Sequence, residues 1–161
     1  MRILDKNRQS YKRAFSQKEE CAFCDEKEML ICEELSGKHW RVIVNLYPYM
    51  DGNVMLVPKR HIEEVEKVTE DEWRDFGKVL KETKIALGEI FKTDSFNVGL
   101  NVGEQSGASI AHLHWQVIPR KYQNITAANV LADLYIVKTS PEETKKLLDN
   151  YFRKLNKKEK K

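Results

Sequence analysis

Apolar and polar residues alternate between positions 111 and 119, and this alternation predicts a β-strand with two different faces. One face carries His112, His114 and Gln116. The other carries Leu113, Trp115 and Val117. Because folding buries the apolar set, we expect the polar set to face a site. Only four histidines occur in the chain, and two of them alternate in this strand.

The same periodicity predicts three further strands. They cover residues 39–45, 53–57 and 95–103. A turn segment containing Pro48, Asp51 and Gly52 separates the first two strands, which indicates a hairpin. A loop rich in small residues, 103–109, should connect the last two strands.

Two capping boxes mark the starts of two helices. Thr69 and Glu72 precede apolar residues spaced three and four apart, which predicts a long amphipathic helix over 70–91. Ser140 and Glu143, with Pro141 at the first helical position, predict a C-terminal helix that runs to about residue 155. Between residues 125 and 138 the pattern does not distinguish a strand from a helix.

These elements predict one α+β domain, in which an antiparallel sheet packs with one long helix and one C-terminal helix. A length of 161 residues with 41% hydrophobic content suits a single domain, and no internal repeat or linker is visible. We expect a basic N-terminal segment at 1–20, the folded domain at 21–155 and a basic tail at 156–161.

The charge distribution disfavours nucleic acid as the partner. Residues 1–20 carry six basic and three acidic side chains, and residues 153–161 carry six and one, so that residues 21–152 have a net charge of −5 within a total of +3. No apolar run approaches the roughly 18 residues of a membrane span, and the N-terminus lacks the apolar stretch of a signal peptide. An odd count of three cysteines fits a reducing compartment, and we expect a cytoplasmic protein.

The Cys21-Ala-Phe-Cys24 motif indicates either a zinc site or a redox pair. No βαβ pattern supports the redox interpretation. With His61 and His112 as nitrogen donors, the two cysteines would complete a closed, structural Cys2His2 zinc site. Cys32 or His39 could replace one of these ligands, and a metal-free arrangement also stays open.

Several separated motifs together resemble the histidine triad superfamily of nucleotidyl hydrolases and transferases. They are His-Leu-His-Trp-Gln-Val-Ile-Pro-Arg at 112–120, Met-Leu-Val-Pro-Lys-Arg-His at 55–61, and Asn101, Gly107 and Ser109. The segments 44–49 and 96–101 are most similar to the small prokaryotic diadenosine tetraphosphate phosphorylases, within the branch that includes galactose-1-phosphate uridylyltransferase. The resemblance implies a histidine triad fold, and it places the family zinc ligands on the same Cys21, Cys24, His61 and His112.

The resemblance also implies a role for individual residues. The middle histidine of the family triad, here His114, is the nucleophile that forms a nucleotidyl-histidine intermediate. A neutral imidazole attacks phosphorus and then leaves readily, and its other nitrogen should donate to a backbone carbonyl. Asn45 matches the ribose-binding position. The positions that hold phosphate oxygens fall on Asn101, Gly107, Ala108 and Ser109.

Two residues depart from the family pattern. Gln116 stands where most members carry a third histidine, and a carboxamide donates a hydrogen bond but is no general acid. Asn53 replaces a histidine that usually follows the turn glycine. The departure at Gln116 favours transfer to phosphate over hydrolysis, with ADP or ATP as the leaving group.

We therefore predict an enzyme that cleaves diadenosine tetraphosphate by phosphorolysis, with phosphate and a nucleotide as its ligands and a homodimer or higher homo-oligomer as its assembly. A hydrolase of dinucleoside polyphosphates or nucleoside phosphoramidates is the alternative enzyme. A nucleotide-binding regulator is the alternative from another class.

Overall fold

The computed structural model of the protein describes residues 21–106, 108, 110–121 and 137–159. Its centre is a four-stranded antiparallel sheet with the order β1-β2-β4-β3. The strands are β1 (Trp40–Val44), β2 (Val54–Pro58), β3 (Phe96–Leu100) and β4 (Trp115–Pro119). Two helices, α1 (Glu70–Phe91) and α2 (Pro141–Glu159), pack with this sheet. The predicted α+β class is confirmed.

The first two strands form the predicted hairpin. Trp40 pairs with Pro58 at one end and Val44 pairs with Val54 at the other. The connecting turn contains Gly52 in the left-handed region, with φ of 74°. A Cβ atom at this position would also lie 2.4 Å from the Phe91 ring, so both the backbone and the packing require glycine here.

Helix α1 has the bounds that the sequence predicts because both of its ends are set locally. The Thr69 side chain accepts from the backbone N–H of Glu72, and the Glu72 carboxylate accepts from the backbone N–H of Thr69. At the other end Lys92 adopts the left-handed conformation that terminates the helix.

The two faces of the sheet bury different sets of residues. On one face α1 covers the main core, which includes Val42, Leu56, Leu113 and Val117. The prediction that Leu113, Trp115 and Val117 face the core is confirmed. On the opposite face a smaller cluster contains Phe23, Ile43, Met55 and Val57. Because side chains alternate along a strand, Gln116, which pairs with Met55, lies on this second face.

Helix α2 begins at the predicted capping box, where the backbone N–H of Glu143 donates to Ser140 Oγ at 3.1 Å. It continues to Glu159, beyond the predicted end near residue 155. The carboxylate of Asp51 accepts from the backbone N–H groups of Lys138 and Thr139, at 2.7 and 2.8 Å. These two bonds attach the start of α2 to the turn of the first hairpin.

The predicted strand over 111–119 is wrong in its first half, since β4 begins only at Trp115. Beyond Leu56 the end of β2 does not pair with this segment. Instead, the carbonyl oxygen of Pro58 accepts from the side chain of His112, and the N–H of Leu113 donates to Ile62. Hydrogen bonds to a histidine side chain and to a loop carbonyl thus take the place of the backbone pairing between β2 and β4 at this point. The predicted strand over 95–103 is likewise shorter, ending at Leu100.

Neither α1 nor α2, nor any shorter helix in the described ranges, combines the length and apolar character needed to cross a lipid bilayer. The predicted basic segment at 1–20 and most of the undecided segment at 125–138 lie outside the described residues.

Candidate functional site

Two cysteines and two histidines converge on one point at the edge of the second sheet face. The donor atoms of Cys21, Cys24, His61 and His112 all lie within 4.8 Å of one another. The Nδ1 atom of His112 is 3.4 Å from the sulfur of Cys21, and the Nδ1 atom of His61 is 3.4 Å from the sulfur of Cys24. In a tetrahedral zinc site with ordinary bond lengths, a nitrogen and a sulfur ligand are about 3.6 Å apart. The four residues therefore fit a tetrahedral metal ion.

The outer nitrogens of both histidines are also engaged. His112 Nε2 lies 3.0 Å from the carbonyl oxygen of Pro58, and His61 Nε2 lies 3.1 Å from the carboxylate of Glu63. A proton on each Nε2 leaves the lone pair of each Nδ1 for the cluster. Carbonyl and carboxylate partners of this kind orient histidine ligands in metal sites.

Burial keeps the inner part of the cluster uncharged when no cation is bound. It raises the pKa of the Cys21 thiol to about 11 and lowers the pKa of His112 to about 4. A neutral imidazole can coordinate directly, whereas the Cys21 thiol needs a cation to favour its thiolate. Cys32 and His39, which the sequence leaves as alternative ligands, are not part of this cluster. Cys32 is buried in the main core instead.

The loop that carries the cysteines is held by Phe23. This ring is buried in the smaller cluster and lies 5.9 Å from the ring of His112 and 5.2 Å from that of His114, measured between centroids. A single apolar side chain from the Cys-x-x-Cys loop therefore packs against both histidines of the alternating motif. Phe23 is not among the predicted site residues, and the sequence signal for it is its position between the two cysteines.

His114 is buried and has one fixed tautomer. Its Nδ1 atom lies 2.8 Å from the carbonyl oxygen of His112, a group that can only accept, so Nδ1 carries the proton. This is the backbone partner that the sequence predicts without naming. Burial lowers the pKa of His114 below its ordinary value. The Nε2 atom therefore keeps a free lone pair near neutral pH, as a nucleophile requires.

Two residues after His114, Gln116 forms a hydrogen-bonded network with two other carboxamides. The Nδ2 atom of Asn53 donates to Gln116 Oε1 at 2.9 Å, and the Nδ2 atom of Asn45 donates to Asn53 Oδ1 at 3.0 Å. Asn45 Nδ2 also lies 3.4 Å from Gln116 Oε1. Both asparagines are buried, and Gln116 is half-buried. The two departures from the family pattern, Asn53 and Gln116, are thus in direct contact.

The predicted phosphate loop is described in part. Gly103 adopts a φ of 78°, and its carbonyl accepts from the Ser106 hydroxyl at 2.7 Å. Asn101 is exposed, and Ala108 is half-buried. Gly107 and Ser109 lie outside the described residues.

A family model described as the HIT domain matches residues 35–123. An AP-4-A phosphorylase from Mycobacterium tuberculosis is 30% identical over 125 residues, which are 77% of this chain and 63% of that relative. A bis(5'-adenosyl)-triphosphatase from Saccharomyces cerevisiae is 32% identical over 102 residues, or 61% of this chain and 50% of the relative. The chain thus spans about half to two thirds of the length of these curated relatives.

Among solved structures, a Zn-bound histidine triad family protein from Mycobacterium smegmatis shares the fold with a TM-score of 0.63. It is 16% identical in sequence, and the match covers 92% of this chain and 95% of that one. The sheet, the covering helix and the paired histidines define a histidine triad fold. The HIT domain model matches more than half of the length of this chain, and the chain therefore belongs to the HIT domain family.

Proposed function

We propose that the protein is a nucleotidyltransferase that cleaves dinucleoside polyphosphates, with diadenosine tetraphosphate as substrate and phosphate as acceptor. The observation that carries this proposal is the hydrogen bond from His114 Nδ1 to the carbonyl of His112, which leaves the lone pair of Nε2 for nucleophilic attack. The names of the Mycobacterium tuberculosis and Saccharomyces cerevisiae relatives support adenosine polyphosphates as the substrate class.

The proposed reaction has two displacements at the same phosphorus. His114 Nε2 attacks the α-phosphorus, the bond to the bridging oxygen breaks, and ATP leaves with the electron pair. A phosphate oxygen then attacks the same phosphorus, the P–N bond breaks, and ADP leaves while the electron pair returns to Nε2. Throughout, His114 Nδ1 keeps its proton, and the His112 carbonyl stabilises the positive charge on the adenylylated ring.

The carboxamide of Gln116 favours ADP or ATP as the leaving group and phosphate as the acceptor. It carries no proton that it can give away, so a leaving group that needs protonation would depart slowly. ATP leaves as a stable anion and needs no such help. A phosphate dianion likewise attacks without a base, whereas water must lose a proton.

We assign the ligand contacts as the family resemblance implies, with Asn45 toward the ribose and Asn101, Gly107, Ala108 and Ser109 toward phosphate oxygens. Such donors stabilise charge that develops in the transition state. Asn45 is buried, and its Oδ1 already accepts from the N–H of Tyr47 at 2.9 Å. One lone pair of this oxygen is left for a ribose hydroxyl.

We further propose that Cys21, Cys24, His61 and His112 hold a structural zinc ion. Bound zinc would join the cysteine loop to the loop after β2 and to the segment that leads into His114. A closed set of four protein ligands leaves no position for substrate, so zinc would stabilise the site and take no part in the displacement. Thiolate ligands need a reducing compartment, and we accordingly place the protein in the cytoplasm.

A homodimer is also part of this proposal. Strand β3 is at the edge of the described sheet, and Val98 on this strand is 41% exposed. An edge strand with an exposed apolar side chain can pair with a second copy. Sedimentation equilibrium tests this, and a monomer at micromolar concentration would contradict it.

The test of the function is product analysis with and without phosphate. Purified protein should convert diadenosine tetraphosphate to equal amounts of ADP and ATP, at a rate that increases with phosphate concentration. Formation of AMP and ATP at a rate indifferent to phosphate would instead establish a hydrolase, the alternative that the name of the Saccharomyces cerevisiae relative favours.

A further inference from the structure

We propose that Asn53 is a positioning residue that fixes the carboxamide of Gln116 with its NH2 group toward the ligand. The site beside His114 would then bind an anionic phosphate oxygen at this point and offer no acceptor for a proton of water. This inference rests on the proposed function, because it explains how the protein would prefer phosphate to water as the acceptor.

Backbone N–H groups fix which end of each asparagine carboxamide faces the turn. The N–H of Tyr47 donates to Asn45 Oδ1 at 2.9 Å, and the N–H of Tyr49 donates to Asn53 Oδ1 at 3.2 Å. A backbone N–H cannot accept a hydrogen bond, so the oxygen of each asparagine must face the turn. The NH2 groups of both asparagines therefore point away from the turn, toward β4.

The orientation of the Asn53 carboxamide in turn fixes the orientation of the Gln116 carboxamide. Besides Gln116 Oε1, Asn53 Nδ2 faces the carbonyl oxygens of Val54 at 3.1 Å and Val117 at 3.5 Å. Reversing Asn53 would place its oxygen against these carbonyls, and reversing Gln116 would place two NH2 groups against each other. The hydrogen bonds therefore select one orientation of Gln116, with Oε1 toward Asn53.

The NH2 group of Gln116 is then left for a ligand. No group in the described part of the chain accepts from its Nε2 atom. Gly99 is directly opposite Gln116 in the register of β3 and β4, and a Cβ atom at Gly99 would have no atom of the described residues within 4 Å. Because opposite residues of an antiparallel pair project to the same face, open space adjoins Gln116 on the side of the sheet that carries the site.

A donor at this position discriminates between acceptors. An NH2 group binds a phosphate oxygen, but it can neither orient nor deprotonate water through a lone pair. If Gln116 presented its oxygen instead, it would repel phosphate and accept from water. Asn53 is only 1% exposed, so it would influence the choice between phosphate and water through Gln116 and not by touching the acceptor itself.

Asn53→Asp, assayed at a pH at which the new carboxyl group is ionised, is the sharpest test, since it then keeps the shape and removes the donor. Gln116 should then rotate to donate to the new carboxylate and present its oxygen to the ligand. We expect phosphorolysis to fall by about 100-fold, the loss typical of removing one preorganised donor. If Nε2 contacts the incoming phosphate, the KM for phosphate should rise while the first release of ATP in a single turnover stays unchanged. If it contacts the α-phosphate, both steps should slow.

A double-mutant cycle with Gln116→Ala shows whether Asn53 acts through Gln116. Asn53→Asp should cause no further loss in the Gln116→Ala background. Additive losses would overturn the inference. Asn156→Asp, an exposed position on α2, controls for the added negative charge and should keep full activity. If Asn53→Asp does not fold, Asn53→Ala serves in the same cycle with an expected loss of about tenfold and the same non-additivity.

A spectroscopic measurement separates this inference from the proposed function. In 1H–15N spectra, the side-chain amide signals of Gln116 should shift when ADP is added to the wild type and should not respond in Asn53→Asp. Wild-type protein that lacks phosphorolysis but shows this shift would refute the proposed function alone. Wild-type protein that is active but whose Gln116 amide is unaffected by ADP would overturn the positioning role.

Discussion

His112 and His114 are two residues apart and both are buried, yet they expose different nitrogen atoms. His112 binds the Pro58 carbonyl through Nε2 and turns Nδ1 toward the cysteine sulfurs. His114 binds the His112 carbonyl through Nδ1 and leaves Nε2 free. Burial lowers the pKa of both imidazoles, so each is a neutral donor of one lone pair.

The difference between the two histidines comes from the backbone. A carbonyl oxygen decides which ring nitrogen keeps the proton, and this choice decides where the lone pair points. At His112 the lone pair points to the sulfur atoms of Cys21 and Cys24, and at His114 it has no hydrogen-bond partner among the described residues. The same side chain can thus serve a structural metal in one place and a covalent reaction in the next.

The largest effect should follow from His114→Ala. Turnover of diadenosine tetraphosphate should fall by at least about a thousandfold, because no neighbouring group replaces a covalent nucleophile. Zinc content and melting temperature should stay close to those of the wild type, since His114 is outside the cysteine cluster. Mass spectrometry of quenched wild-type reactions should locate an adenylyl group on His114. An adduct on His61 or His112 would refute the assignment of His114 as the nucleophile.

Replacing a proposed metal ligand should have the opposite effect on the protein, because zinc content and melting temperature should both fall. His112→Ala and Cys24→Ser should each reduce zinc below the expected one ion per chain and lower the melting temperature, because binding to a closed site contributes to folding. Cys32→Ser is the matched control, since this cysteine is buried outside the cluster and should leave the zinc content unchanged. Elemental analysis decides the matter. Full zinc content in Cys24→Ser would refute the assignment.

The sequence predicts local features of this fold better than contacts between distant residues. The capping box at Thr69 sets the start of α1 through residues three apart, and the four residues of the candidate metal cluster were predicted from their donor chemistry. The sequence could not predict that β4 begins only at Trp115. The start of the strand depends on a contact between His112 and Pro58, which are 54 residues apart.

The carboxamide network illustrates the same limit. In the sequence, Asn53 and Gln116 are two separate departures from a family pattern. Their 2.9 Å contact joins residues 63 positions apart, and only the register of β2 with β4 brings them together. Neither alternation nor composition indicates that one of them orients the other.

A smaller effect should follow from filling the space beside Gln116. Because a Cβ atom at Gly99 meets no atom within 4 Å in the part of the chain that the structure describes, Gly99→Val should fold normally, and a β-branched residue suits a strand. If the ligand occupies this space, its KM should rise by about tenfold, the loss of roughly 1.4 kcal/mol of binding. Zinc content should not change. Val98→Ile, at the neighbouring position, keeps the exposed side chain apolar and controls for substitution on β3. An unchanged KM in Gly99→Val would place the ligand elsewhere.

The smallest effect should come from Glu72→Gln, which affects the metal side of the comparison alone. Glu72 caps α1 and accepts from Arg60, the residue before His61, at 3.0 and 3.1 Å. The Arg60 bonds hold the pKa of Glu72 at about 2, below the ordinary 4.5. Since this folded-state pKa is lowered, the stabilisation is complete above pH 4.5 and is lost as the pH falls toward 2.

Replacing the carboxylate should therefore lower the free energy of unfolding at pH 7 by about 1 kcal/mol, the usual contribution of a helix cap. The difference in stability should shrink as the pH falls from 4.5 to 2 and should vanish only below pH 2, because Glu72 is still half ionised in the folded state at its pKa of about 2. Zinc affinity should fall slightly because the His61 loop is less firmly held, while kcat should not change. Denaturant titrations across this pH range test the prediction, and a constant stability difference between pH 7 and pH 2 would show that the charge of Glu72 is unimportant.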